Sequence, residues 1–145
     1  MLRRAVLLGM VLCVVLAAGC TPSTDSLNAS AKEATSYDSP QAVYDAMKAG
    51  GVDAVALIDE GDQAGPAGTV MAKSAEVNFG DGFGTITVFP SAGVPTMGEY
   101  VTVWLSSAKS SGVEDPTVLQ GPNWLVSRGG DLSKVQQALG GKLQK

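Results

Sequence analysis

The chain has 145 residues, 45% apolar and 17% charged, with 14 acidic against 10 basic side chains. It is long enough for one ordinary domain and too apolar for a wholly disordered chain. The formal charge of -4 argues against a nucleic-acid surface, and the absence of His excludes Ser-His-Asp and Cys-His catalysis and His-ligated zinc.

The N-terminus carries the strongest signal. Arg3 and Arg4 precede the apolar run Ala5–Leu16, and the small residues Ala17, Ala18 and Gly19 lead to Cys20. A basic start, a short apolar run and small residues before a cut site make a secretory signal. The run falls short of the roughly 18–20 residues that a membrane-spanning helix needs.

The ending Leu16-Ala17-Ala18-Gly19-Cys20 resembles the lipobox of bacterial lipoproteins, with Ala17 where that family most often has Leu. The resemblance implies that the Cys20 sulfur receives a diacylglyceryl group and that the peptide is cut just before it. The chemistry suits the residues: a thiol is the good nucleophile here, and two acyl chains anchor stably where one does not. Cys13 would leave with the signal, so the mature chain would carry no free thiol and no disulfide. The expected organisation is a signal peptide over 1–19, a tether over 20–37 rich in Ser, Thr and Ala, and a folded domain over 38–145.

Ser39-Pro40 opens a helix with a capping side chain and a proline at the first helical position, and Gly50-Gly51 closes it. Val52–Ile58 reads as a first strand or as more helix. Asp59–Gly68, DEGDQAGPAG, reads as a polar loop. Val77 and Phe79, then Ile86 and Val88, alternate with polar residues around Gly80-Asp81-Gly82-Phe83-Gly84, which predicts a β-hairpin, with Thr69–Lys73 extending its first strand or forming another.

Thr96-Met97-Gly98-Glu99 matches a capping box, and Met97, Val101, Trp104 and Ala108 share one helical face. Thr117–Arg128 is a strand pair, or one strand broken at Gly121-Pro122, with Pro122 at an edge or bulge. Asp131 caps a last helix whose Leu132, Val135 and Leu139 point inward.

The resulting order is α-β-β-β-α-β-α. It predicts an α+β fold with a mostly antiparallel sheet of three to five strands and helices on one face. The core gathers around Val77, Phe79, Ile86, Val88, Trp104 and Leu139. A domain of this size without disulfides is expected to be a soluble monomer.

Few residues carry chemistry. Asp59, Glu60 and Asp62 offer oxygen ligands of the kind calcium takes, but their spacing departs from the EF-hand pattern, and a solvated acidic loop accounts for them. Ser106-Ser107-Ala108-Lys109 matches S-x-x-K without the companion motifs of the penicillin-binding enzymes. A Lys late in a helix, favoured by the dipole, explains it. Trp104 is assigned to the core. Trp124, beside Gly121-Pro122-Asn123, is the candidate for partial exposure and ligand contact.

Gly121-Pro122-Asn123-Trp124, then Val135-Gln136 and Ala138-Leu139-Gly140-Gly141, are similar to the ending of small exported lipoproteins of high-GC Gram-positive bacteria. The resemblance implies no catalytic residue and no cofactor. The function expected is a membrane-anchored extracytoplasmic module that binds a ligand or an envelope protein, with membrane lipid engaged through acylated Cys20. Two alternatives are an envelope enzyme using paired carboxylates and an immunity-type, prophage-borne lipoprotein that blocks an envelope process.

Overall fold

A computed structural model describes residues 32–145. The expected signal peptide, Cys20 and most of the expected tether lie outside the described residues. Helix α1 covers Pro40–Ala49. The Ser39 hydroxyl accepts the Ala42 N–H at 3.2 Å, and the Gly50 N–H donates to the Ala46 carbonyl at 3.0 Å. Both ends therefore form as their residue types require.

Strands β1 (Ala56–Ala64), β2 (Val70–Asn78) and β3 (Phe83–Val88) follow. Helix α2 spans Met97–Ser110, strands β4 (Pro116–Gln120) and β5 (Trp124–Gly129) form a hairpin, helix α3 spans Ser133–Leu139, and β6 (Lys142–Gln144) closes the chain. The six strands make one antiparallel sheet in the order β1-β2-β3-β5-β4-β6. The class is α+β.

Several expectations are corrected. The first strand is shifted toward the C-terminus: Asp59–Ala64 is strand, not loop, and pairs with Val70–Ala75 of β2. A bulge at Asp59/Gly61, where the Asp59 carboxylate accepts the Gly61 N–H at 2.8 Å, lets this segment break the alternation that marks most strands. Its acidic side chains are tolerated because β1 is a sheet edge and they reach water. Pro122 belongs to neither edge nor bulge. It lies in the β4–β5 turn, which the Gly121 N–H closes onto the Trp124 carbonyl at 2.9 Å. The capping box does not form, because the Thr96 hydroxyl donates to the Gly93 carbonyl at 2.7 Å and a short 3₁₀ turn, Val94–Thr96, leads into α2 instead.

The helices do not all share one face. Side chains alternate across a strand, so the sheet presents two apolar surfaces. On the first, Val77, Ile86, Leu119 and Val126 pack against Val43 and Met47 of α1 and Val135 and Leu139 of α3. On the second, Ala72, Val118 and Leu125 pack against Met97 and Val101 of α2, with Phe89 beside them. Phe89 meets Tyr100 edge-on at 5.6 Å between ring centroids. β3 and β4 flank β5 and are both antiparallel to it, so α2 is the crossover between two parallel strands and lies over this second face.

Of the two tryptophans, Trp124 departs from its expected partial exposure, and Trp104 joins a core only in part. Trp124 is fully buried in the first core, whereas Trp104 is half-buried at the margin of the second. The stripe that α2 buries is Met97, Val101 and Ala108, which leaves Trp104 at its flank.

Trp124 is sealed by residues assigned to the tether. Residues 32–37, neither helix nor strand, lie against the sheet end near the β4–β5 turn and form a strap. The Trp124 indole N–H donates to the Thr35 carbonyl at 2.8 Å. Asn123 brackets Tyr37, accepting its N–H at 3.0 Å and donating to its carbonyl at 2.8 Å. Ala34 and Tyr37 pack on the first core. Residues 34–37, which the sequence placed in the tether, thus dock on the folded unit. The strap lies close because Gly140, with φ +77 and ψ -157, has no side chain; a Cβ there would strike the Lys32 carbonyl.

Candidate functional site

A cluster of charged side chains lies at the sheet end opposite the strap. The β2–β3 turn is closed by the Phe79 N–H donating to the Gly82 carbonyl at 2.8 Å, which holds Asp81 at its tip. Arg128 stands near the end of β5, directly across from Gly84 on β3. A side chain at position 84 would crowd the Phe79 ring, 2.9 Å from its Cε2, and the Arg128 Cβ at 3.0 Å. Without one, the Arg128 guanidinium lies over the Phe79 ring, 4.7 Å from its centroid. This is a cation–π contact in a partly desolvated place.

Arg128 is positioned further by its Nε–H, which donates to the Gly129 carbonyl at 2.8 Å, and by Asp81, whose carboxylate lies 3.1 Å from Nη2. The two partners differ sharply in exposure, 10% for the Arg128 side chain and 74% for Asp81. The cation is built into the fold, while its counter-ion reaches it from water.

Beside this pair opens a cleft of about 350 Å³ that also takes in Asp53, Asp131 and Lys134, with Val52 and Val135 as apolar wall. Asp131 Oδ1 accepts both the Ser133 hydroxyl at 2.6 Å and the Ser133 N–H at 2.9 Å. These bonds, the hydroxyl first, hold the Asp131 carboxyl below its ordinary pKa, with Lys145 and Arg128 adding attraction against slight burial. Asp131 therefore serves the start of α3 from one residue further out than a capping position. Among the described residues, neither Asp53 nor Lys134 has an ion-pair partner.

A second hollow of about 500 Å³ lies along the strap, between Lys32–Ala34 and Gln120–Pro122. It is a surface seam with no buried charge.

The residues singled out from sequence do not converge on either place. Asp59, Glu60 and Asp62 are spread along the β1 edge, and among the described residues no group of three or more potential ligands is placed to hold a metal ion. Ser106 and Lys109 sit in the last turns of α2, with Lys109 at its C-terminal end. Trp124 has no exposed surface to offer a ligand. Cys20 lies outside the described residues. The Arg128–Asp81 pair escaped sequence reasoning because β3–β5 pairing alone brings the two together. Among the described residues no helix is long and apolar enough to cross a membrane. Comparison with protein-family models, with curated proteins and with solved structures finds no match to the chain.

Proposed function

We propose that the chain is a lipid-anchored module on the outer face of the cell membrane, exported by its signal segment, acylated at Cys20, and binding a ligand through the cleft beside Arg128. The observation that carries this reading is the placement of two features on β5. The strap, which connects back toward Cys20, is fastened at Asn123 and Trp124. The cleft opens at Arg128. Arg128 lies four residue steps along the strand from Trp124, about 13 Å at strand spacing. A module held from the strap end turns its cleft away from the surface that holds it.

The chain between Cys20 and Lys32 limits how far the module can stand from the anchor. Fully extended, it reaches at most about 40 Å. Two acyl chains on Cys20 supply stable anchoring without a spanning helix.

Fractionation of cells grown with labelled palmitate tests the proposal. The native protein is expected in the membrane fraction carrying label, and Cys20→Ser is expected to lose both. A native protein that is soluble and unlabelled contradicts the anchoring reading.

A further inference from the structure

From the cleft beside Arg128 we infer a ligand class, a small zwitterion that presents a carboxylate to the guanidinium and an ammonium to Asp53 and Asp131, as an amino acid or a short peptide does. The inference rests on the proposal above only in taking this cleft as the binding surface; it does not depend on acylation.

Three observations converge on it. The first is the mismatch in the Arg128–Asp81 pair. An Arg128 side chain that is nine-tenths buried has a counter-ion that is three-quarters exposed and mounted on a glycine-flanked turn tip. An exposed carboxylate of this kind contributes little and exchanges readily. It occupies the position that a ligand carboxylate would take, and Arg presents a planar fork suited to such a group.

The second is the sign of the remaining charges. Asp53 and Asp131 line the same cleft, and neither has a cationic partner within ion-pair distance among the described residues. Asp131 uses Oδ1 for both bonds from Ser133, and Oδ2 takes part in neither. A multiply charged anion such as phosphate would be repelled by these two carboxylates as it approached Arg128. A simple cation would be repelled by Arg128 and Lys134. A molecule carrying one charge of each sign satisfies both sets.

The third is size and lining. A cleft of about 350 Å³ is at the small end for ligand sites. Val52, Phe79 and Val135, all largely buried, provide an apolar wall for a short side chain. Arg128 is held on two sides before any ligand arrives, by the Phe79 ring and the Gly129 carbonyl. Little ordering is then required of it on binding.

The test is a titration of the purified full chain followed by amide chemical shifts at Gly80, Gly82, Gly129 and Gly130. The probes are alanyl-alanine, its N-acetyl form and its C-terminal amide. Alanyl-alanine is expected to shift these amides saturably, and each blocked form to bind at least about tenfold more weakly, since each leaves one set of cleft charges unanswered. Asp81→Asn removes the competing carboxylate at an exposed position and is expected to tighten binding of alanyl-alanine about two- to fivefold. Arg128→Lys is expected to weaken it about tenfold or more.

The inference is overturned by any of three results: no saturable shift with alanyl-alanine, equal binding of either blocked form, or unchanged or weaker binding by Asp81→Asn. If Arg128→Lys fails to fold, the exposed Asp81→Asn variant and the blocked probes still decide the matter. A failure here leaves palmitate labelling unaffected, and a failure of labelling leaves these titrations unaffected.

Discussion

The Trp124 indole N–H donates to the Thr35 carbonyl at 2.8 Å, joining residues 89 positions apart in sequence. The bond closes the strap over the largest fully buried side chain of the core. It satisfies the one polar atom of a side chain that otherwise packs among Val, Leu and Met. The Tyr37 ring lies 6.1 Å from that of Trp124, tilted by 57°, and completes the seal.

The contrast between the two tryptophans gives the first prediction. Trp124→Ala should cost about 3–5 kcal/mol, as a large core side chain removed without collapse of its site. That is enough to unfold a domain of ordinary stability. Trp104→Ala, at the margin of the second core, should cost less than about 2 kcal/mol. Urea unfolding of both variants checks the order, and a larger loss at Trp104 contradicts the burial assignment.

The strap should stabilise the domain. A chain beginning at Asp38 should melt more than about 5 °C below one beginning at Lys32. It loses the bonds to Asn123 and Trp124 and bares part of the Trp124 ring. Gly140→Ala should lower the midpoint of the longer chain and leave the shorter one nearer its own value, because part of the clash is with Lys32. Equal melting of the two unsubstituted chains would show that the strap contributes nothing.

Much of the fold is legible in the sequence where local chemistry decides. Ser39-Pro40 and Gly50-Gly51 bracket α1, and the alternation of Val77, Ile86 and Val88 around glycines marks the β2–β3 hairpin. Where tertiary context decides, the signal is weak. β1 carries Asp59, Glu60 and Asp62 without alternation, because an edge strand with a bulge need not bury a whole face. β6 has three residues after two glycines and exists only because β4 offers it an edge. The strap has the composition of a linker, with only Ala34 and Tyr37 to bury. Its docking depends on Trp124 and Asn123, which lie far along the chain. The Arg128 cleft is illegible for the same reason, since its side chains come from a turn, a strand end, a helix and the segment after α1.

Stability should depend on Asp131 in acid. Its carboxylate accepts two bonds from Ser133, so its folded pKa lies below its unfolded one. The stabilisation is complete above the unfolded value of about 3.9 and is lost as pH falls through the lower folded value. Asp131→Asn should therefore melt below the native chain at neutral pH, and the gap should narrow as pH drops below about 4. A gap that is constant with pH contradicts the assignment of Ser133 as the cause.

The proposed acylation of Cys20 as the first residue of the mature chain is tested by mass analysis of the native protein. Trypsin should release a peptide running from Cys20 to Lys32, since no Lys or Arg lies between them. Its mass should exceed that of the bare peptide by at least a diacylglyceryl group. Recovery of an unmodified Cys20 within a peptide that continues back toward Arg4 would contradict the account.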